Sequence, residues 1–71
     1  MGKLTKGHLW ALIEASDCEM PMSYDWFRAV GYTTATVDFL ERVGLLARYE
    51  YANGPHFSVT DAGRKALSEA E

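Results

Sequence analysis

The apolar residues of this chain change their spacing at Gly44. From Thr34 to Val43 they recur at helical intervals, which puts Thr36, Val37, Leu40 and Val43 on one side and Thr34, Ala35, Asp38 and Arg42 on the other. From Leu45 to Tyr51 the residues are strand formers, and Ala52-Asn53-Gly54-Pro55 follows as a turn signal. His56 to Thr60 then reads as the returning strand. A short helix running straight into a hairpin leaves few ways to close a core, because both must bury their apolar sides against the same neighbours.

The upstream half narrows the choice. Thr5 is a candidate cap for a first helix with Leu9, Leu12, Ile13 and Ser16 on its core face, ending near Ser16. Asp17 to Met22 reads as a loop in which Pro21 blocks a helix, with room for a short extended edge segment around Met20 and Met22. Ser23 is positioned to cap a second helix from Tyr24 to Val30. Gly31 stops it, and is expected to take a positive φ or to sit where no Cβ fits. Thr33 or Thr34 caps the third helix. Thr60 and Asp61 open a last one, Ala62 to about Ala70. The order helix, short strand, helix, tight turn, helix, hairpin, helix predicts an α+β winged helix-turn-helix. It would be one domain over residues 1–71, with a three-helix core, a β-hairpin wing and a short C-terminal helix.

The segments FLERVGLLARYEY (39–51), HFSVTDAGRKAL (56–67) and LTKGHLWAL (4–12) bear this out as a resemblance. The first resembles the end of the recognition helix and first wing strand of small bacterial and archaeal regulators of the MarR and PadR type. The second resembles their second wing strand and following helix, and the third the opening of their first helix. The resemblance implies a DNA-binding transcriptional regulator. Two features depart from its pattern. The stretch from Gly31 to Gly44 is about a turn shorter, and Phe27 falls where the second helix usually carries a small residue, which should alter how helices two and three cross.

Composition limits the chemistry. A chain of 71 residues buries only about 60% of its unfolded surface, yet 48% hydrophobic and 13% aromatic residues supply one core. Cys18 stands alone, so no disulfide staples the fold, and a reducing, cytoplasmic setting is expected. No apolar run approaches the roughly 18 residues of a membrane span, and Lys3 and Lys6 around Leu4 do not make a signal peptide. His8, His56 and Cys18 are too scattered for a zinc pattern. No nucleophile triad, phosphate loop or carboxylate pair is evident, and the core leaves no room for a deep pocket. The chain is therefore expected to be no enzyme, with no cofactor and no metal.

Net charge is −3, against a strong non-specific nucleic-acid binder. The acids Glu14, Asp17, Glu19 and Asp25 are expected mostly in one loop, which would leave a mildly basic face elsewhere. If the domain reads duplex DNA, the outward side of helix three enters the major groove. Thr33 and Thr34 would offer a phosphate the helix start, Arg42 would reach phosphate or guanine, and Asp38 would accept from a cytosine amino group. Arg28, Arg48 and the wing-tip Asn53 complete that set. The structural alternatives are simple threonine capping, an Asp38–Arg42 pair on a solvated face and an ordinary hairpin. The rival function is a protein-interaction module or homodimer using Trp10, Tyr49 and Tyr51, supported by the acidic balance, the large rings and a wing tip without Arg or Lys. A continuous positive face joining helix three to the hairpin would favour DNA, and an acidic or apolar one would favour protein.

Overall fold

Hydroxyl side chains start the helices in a computed structural model that describes residues 4–70; Lys3 lies outside them. Thr5 caps α1 (Lys6–Asp17). Its Oγ1 accepts from the His8 amide at 3.2 Å, and the His8 Nδ1 accepts from the Thr5 amide at 3.1 Å. The imidazole thus plays the part usually taken by Glu or Gln in a reciprocal cap, and it stacks on Phe39 with ring centres 4.4 Å apart. Ser23 caps α2 (Tyr24–Ala29) through the Trp26 amide, and Thr33 caps α3 (Thr34–Arg42) through the Thr36 amide. At the start of α4 (Asp61–Ala70), Thr60 Oγ1 accepts from the Gly63 amide at 3.0 Å and donates to the Gly44 carbonyl at 2.7 Å. That one hydroxyl ties the last helix to the end of α3.

The middle helices end by the same device. Tyr32 N–H donates to Phe27 O at 2.8 Å and Gly31 N–H to Arg28 O at 3.1 Å. Thirteen residues later Leu45 N–H donates to Leu40 O at 2.9 Å and Gly44 N–H to Glu41 O at 3.0 Å. Both are Schellman closures, and Gly31 (φ 103°) and Gly44 (φ 84°) take the left-handed position they require. Tyr32 and Leu45, the residues after each glycine, pack against the core beside Phe27 and Leu40.

The chain is a mixed α+β structure of four helices and a three-stranded antiparallel sheet in the order β1-β3-β2. The short segment around Met22 is realised as β1 (Met22–Ser23), which pairs with Phe57 and His56. β2 (Leu46–Tyr51) and β3 (Gly54–Val59) form the hairpin, with Leu46 opposite Val59 and Tyr51 opposite Gly54. The loop is thus only Ala52 and Asn53, because Gly54 and Pro55 belong to β3. Proline is tolerated there since β1 pairs only from His56 onward and asks no N–H of Pro55. This order is compatible with a winged helix. No helix among the described residues is long and apolar enough to cross a membrane.

The core joins α1, α2, α3 and the inner side of the sheet through Leu12, Met22, Phe27, Val37, Leu40, Leu46 and Phe57, all essentially inaccessible. The two sides of α3 are as expected, though the core side is narrower: Val37 and Leu40 are buried and Thr36 and Val43 only half covered, while Thr34, Ala35, Asp38 and Arg42 are exposed. The core face of α1 differs. Ala11, Leu12 and Ala15 are buried, whereas Leu9, Ile13 and Ser16 are only half covered. Small alanines let α1 approach the sheet closely, which turns the larger Leu9 and Ile13 toward α4. The acids do not gather in a loop either, since Glu14 and Asp17 lie in α1 and Asp25 in α2.

Candidate functional site

The seam where α2, α3 and β2 meet collects most of the charged side chains of this half of the molecule. Tyr24 is the first residue of α2, so its ring leaves the helix start toward the sheet and meets Phe57 edge to face at 4.9 Å. Its hydroxyl donates to Asp38 on α3 and accepts from Arg48 Nη2 at 3.2 Å. Arg48 lies over the Phe57 ring with its guanidinium carbon 5.3 Å from the centroid. It holds Glu41 by Nη2 at 3.1 Å and by Nε at 3.3 Å, and reaches Glu50 at 3.5 Å.

The seam therefore carries three carboxylates to one guanidinium. Burial pushes the Tyr24 phenol above its ordinary value of 10, and the hydrogen bond to Asp38 and its charge push the same way. The hydrogen bond to Glu41 leads in raising the Arg48 guanidinium above its already high range. Away from the seam, burial and then Glu14 raise the Tyr32 phenol.

Measured against this geometry, the candidate DNA-contacting residues separate. Asp38 and Arg48 join one network through Tyr24. Asp38 makes its bond to Tyr24, so the Asp38–Arg42 pair is not formed. Arg28 is paired with Asp25 one helical turn away. Arg28 and Asn53 border one shallow depression with Ser23, Tyr24, Asp25 and Pro55, apart from the α3 face. Thr33 is occupied as the cap of α3, and Thr34 is exposed beside it. Arg42, exposed in the last turn of α3, forms no ion pair among the described residues. Tyr24 and Glu41 were not singled out in the sequence. No local spacing links Tyr24 to Asp38, fourteen residues on, although Glu41 one turn after Asp38 marks an acidic edge on α3.

A second surface is apolar. The pairing register puts Leu46, Arg48 and Phe57 on the inner side of the sheet and Tyr49, Tyr51 and His56 on the outer side. Tyr51 rests edge-on against His56 at 4.7 Å. Met20, Pro21 and Trp26 adjoin these rings and line a depression of about 340 Å³ with Ser23, Tyr51 and His56. An adjoining hollow adds Cys18, Glu19 and Met22. Met20 is 76% exposed, Trp26 57% and Tyr51 49%. Trp10 lies apart from them, in an open groove between α1 and α4 lined by Leu9, Ile13 and Leu67, with Lys6 and Asp17 at its rim.

Among the described residues no cluster of three His, Cys, Asp or Glu side chains is placed to hold a metal ion. No family model, no curated protein and no solved structure matches this chain.

Proposed function

We propose that this chain is a winged helix that works as a protein-interaction module, docking a protein through the surface of Met20, Pro21, Trp26, Tyr51 and His56. The observation that carries this reading is that patch: a methionine, a tryptophan and a tyrosine, each about half exposed or more, side by side on a domain of 71 residues. Exposed apolar surface that is contiguous marks a contact site, because scattered exposure alone would not line a common hollow. With Glu19 beside the patch and a net charge of −3, the fitting partner has an apolar centre and a basic rim.

Duplex DNA is the second reading, favoured by one observation. Among the described residues Arg42 is paired with no carboxylate; it lies on the outward side of α3, one face with the exposed Thr34 and Ala35. Against it stand the carboxylates that hold Arg28 and Arg48, the acidic seam and a wing tip made of Ala52 and Asn53. A photo-reactive residue placed at Met20 in one variant and at Ala35 in another separates the two readings. Protein adducts at position 20, with none to nucleic acid at position 35, are the expected result. Nucleic-acid adducts at position 35 with a silent position 20 would overturn the docking proposal in favour of DNA.

A further inference from the structure

We propose that two copies of this chain associate edge to edge through β2, joining their sheets into one six-stranded sheet about a two-fold axis at Tyr49. In the order β1-β3-β2, β2 has a neighbour on one side only. Its outer edge therefore presents unpaired backbone groups, the template that a further strand adds to. Every residue from Arg48 to Tyr51 is exposed, so nothing among the described residues buries that stretch.

The side chains choose both the occupant and the register. A two-fold axis perpendicular to the sheet keeps each face continuous, so a residue can stand opposite only residues an even number of positions away. Centred on Tyr49, the pairing sets Arg48 against Glu50 of the second copy and Glu50 against its Arg48. It also sets Tyr49 against Tyr49, and Ala47 against Tyr51. Two opposite-charge pairs and one aromatic pair then fall at directly opposed positions, each a stabilising cross-strand combination. Moving the axis to Arg48 opposes two guanidinium groups, and moving it to Glu50 opposes two carboxylates. Both neighbouring registers are thus repelled, whereas the one centred on Tyr49 is self-complementary.

The network inside each copy leaves these groups ready. Glu41 and Tyr24 hold Arg48 at 3.1–3.3 Å, whereas Glu50 reaches it only at 3.5 Å and keeps its side chain 68% exposed. Glu50 can therefore turn to the other copy without dismantling the Glu41–Arg48 pair. This association does not rest on the docking reading: Tyr51 alone belongs to both surfaces, and Met20, Pro21, Trp26 and His56 lie outside β2.

Sedimentation equilibrium of the full chain at low salt, over a wide concentration range, tests it. The expected result is a concentration-dependent rise from the 7.9 kDa chain mass to twice that value. Glu50→Arg, which would set Arg48 against an arginine, should hold the mass at one chain, and Glu50→Gln should weaken the dimer partially. Trp26→Ala should leave it unchanged. A thermal melt with a native-like transition shows that the Glu50 variants still fold. A wild-type chain that stays monomeric at every concentration overturns the proposal, as does a dimer that survives Glu50→Arg. A dimer lost on Trp26→Ala but kept by Glu50→Arg would place self-association on the apolar patch instead.

Discussion

Gly63 sits inside α4, where glycine is ordinarily a liability. Replacing an exposed helical glycine by alanine gains about 1 kcal/mol of helix stability. Here the sign reverses. A Cβ at position 63 would overlap the Leu45 carbonyl oxygen and come within 2.7 Å of Val59 Cγ2, and the first of these is backbone that cannot swing aside. Gly63→Ala is expected to lower stability by about 1–3 kcal/mol, read as a fall in the denaturant midpoint. A rise would mean that α4 is not seated on the Leu45 turn. Tyr24→Phe keeps the ring against Phe57 and removes only the hydroxyl bonds to Asp38 and Arg48. Since those partners are reached by solvent, the cost should be about 0.5–1 kcal/mol. The phenol is raised above 10 by burial first and by Asp38 second, so its folded value exceeds its unfolded one. The stabilisation is therefore complete below pH 10 and is lost as pH rises through the folded value. Denaturant midpoints of the wild type and Tyr24→Phe should accordingly converge above pH 10.

Among the elements, α3 connects the two halves of the fold. Leu40 lies at the centre of its buried side and is fully inaccessible. Leu40→Ala should cost about 2–5 kcal/mol, a large share of the stability a domain of this size holds. A loss under about 1 kcal/mol in a denaturant melt would contradict the packing of α3. The turn before it is held by backbone conformation rather than by crowding. Gly31 has a φ of 103°, and a Cβ there would meet nothing within 4 Å. Gly31→Ala should thus cost about 1–2 kcal/mol through left-handed strain alone, and the variant should keep a native spectrum. Loss of the native near-ultraviolet circular dichroism would show that the turn also needs the space.

For the whole molecule, the placement of charge matters more than its total. Four cations, Arg28, Arg42, Arg48 and Lys6, would give a monomer on DNA a salt slope of roughly −3 to −4. Carboxylates already hold Arg28 and Arg48, and Lys6 borders the α1–α4 groove. Among the described residues neither Arg42 nor Lys6 is paired with a carboxylate, so any binding to random duplex DNA should show a slope no steeper than about −2, reduced by about one in Arg42→Ala. Titration at about 50 mM salt and again at higher salt measures this, and a slope of −3 or steeper would show that the ion pairs open onto phosphate.

Residue types and short spacings determined the local architecture of this protein. Thr5, Ser23 and Thr33 accept at the helix starts because a hydroxyl one position ahead of a helix meets free amides whatever lies around it. Gly31 and Gly44 end helices because a left-handed residue is a local demand. The hairpin and the two sides of α3 follow from periods of 2 and 3.6, which need no knowledge of partners. The tertiary structure decided what depends on who meets whom. Ala11 and Ala15 displaced Leu9 and Ile13 from the core because close approach of α1 to the sheet favours small side chains over large ones. Gly63 in α4 became indispensable only when the Leu45 carbonyl was set against it. The candidate site divided for the same reason. Asp38 and Arg48 lie on different elements, and folding brought Tyr24 of α2 to both and Glu41 of α3 to Arg48, so that side chains available to a ligand in the sequence are held by one another in the fold.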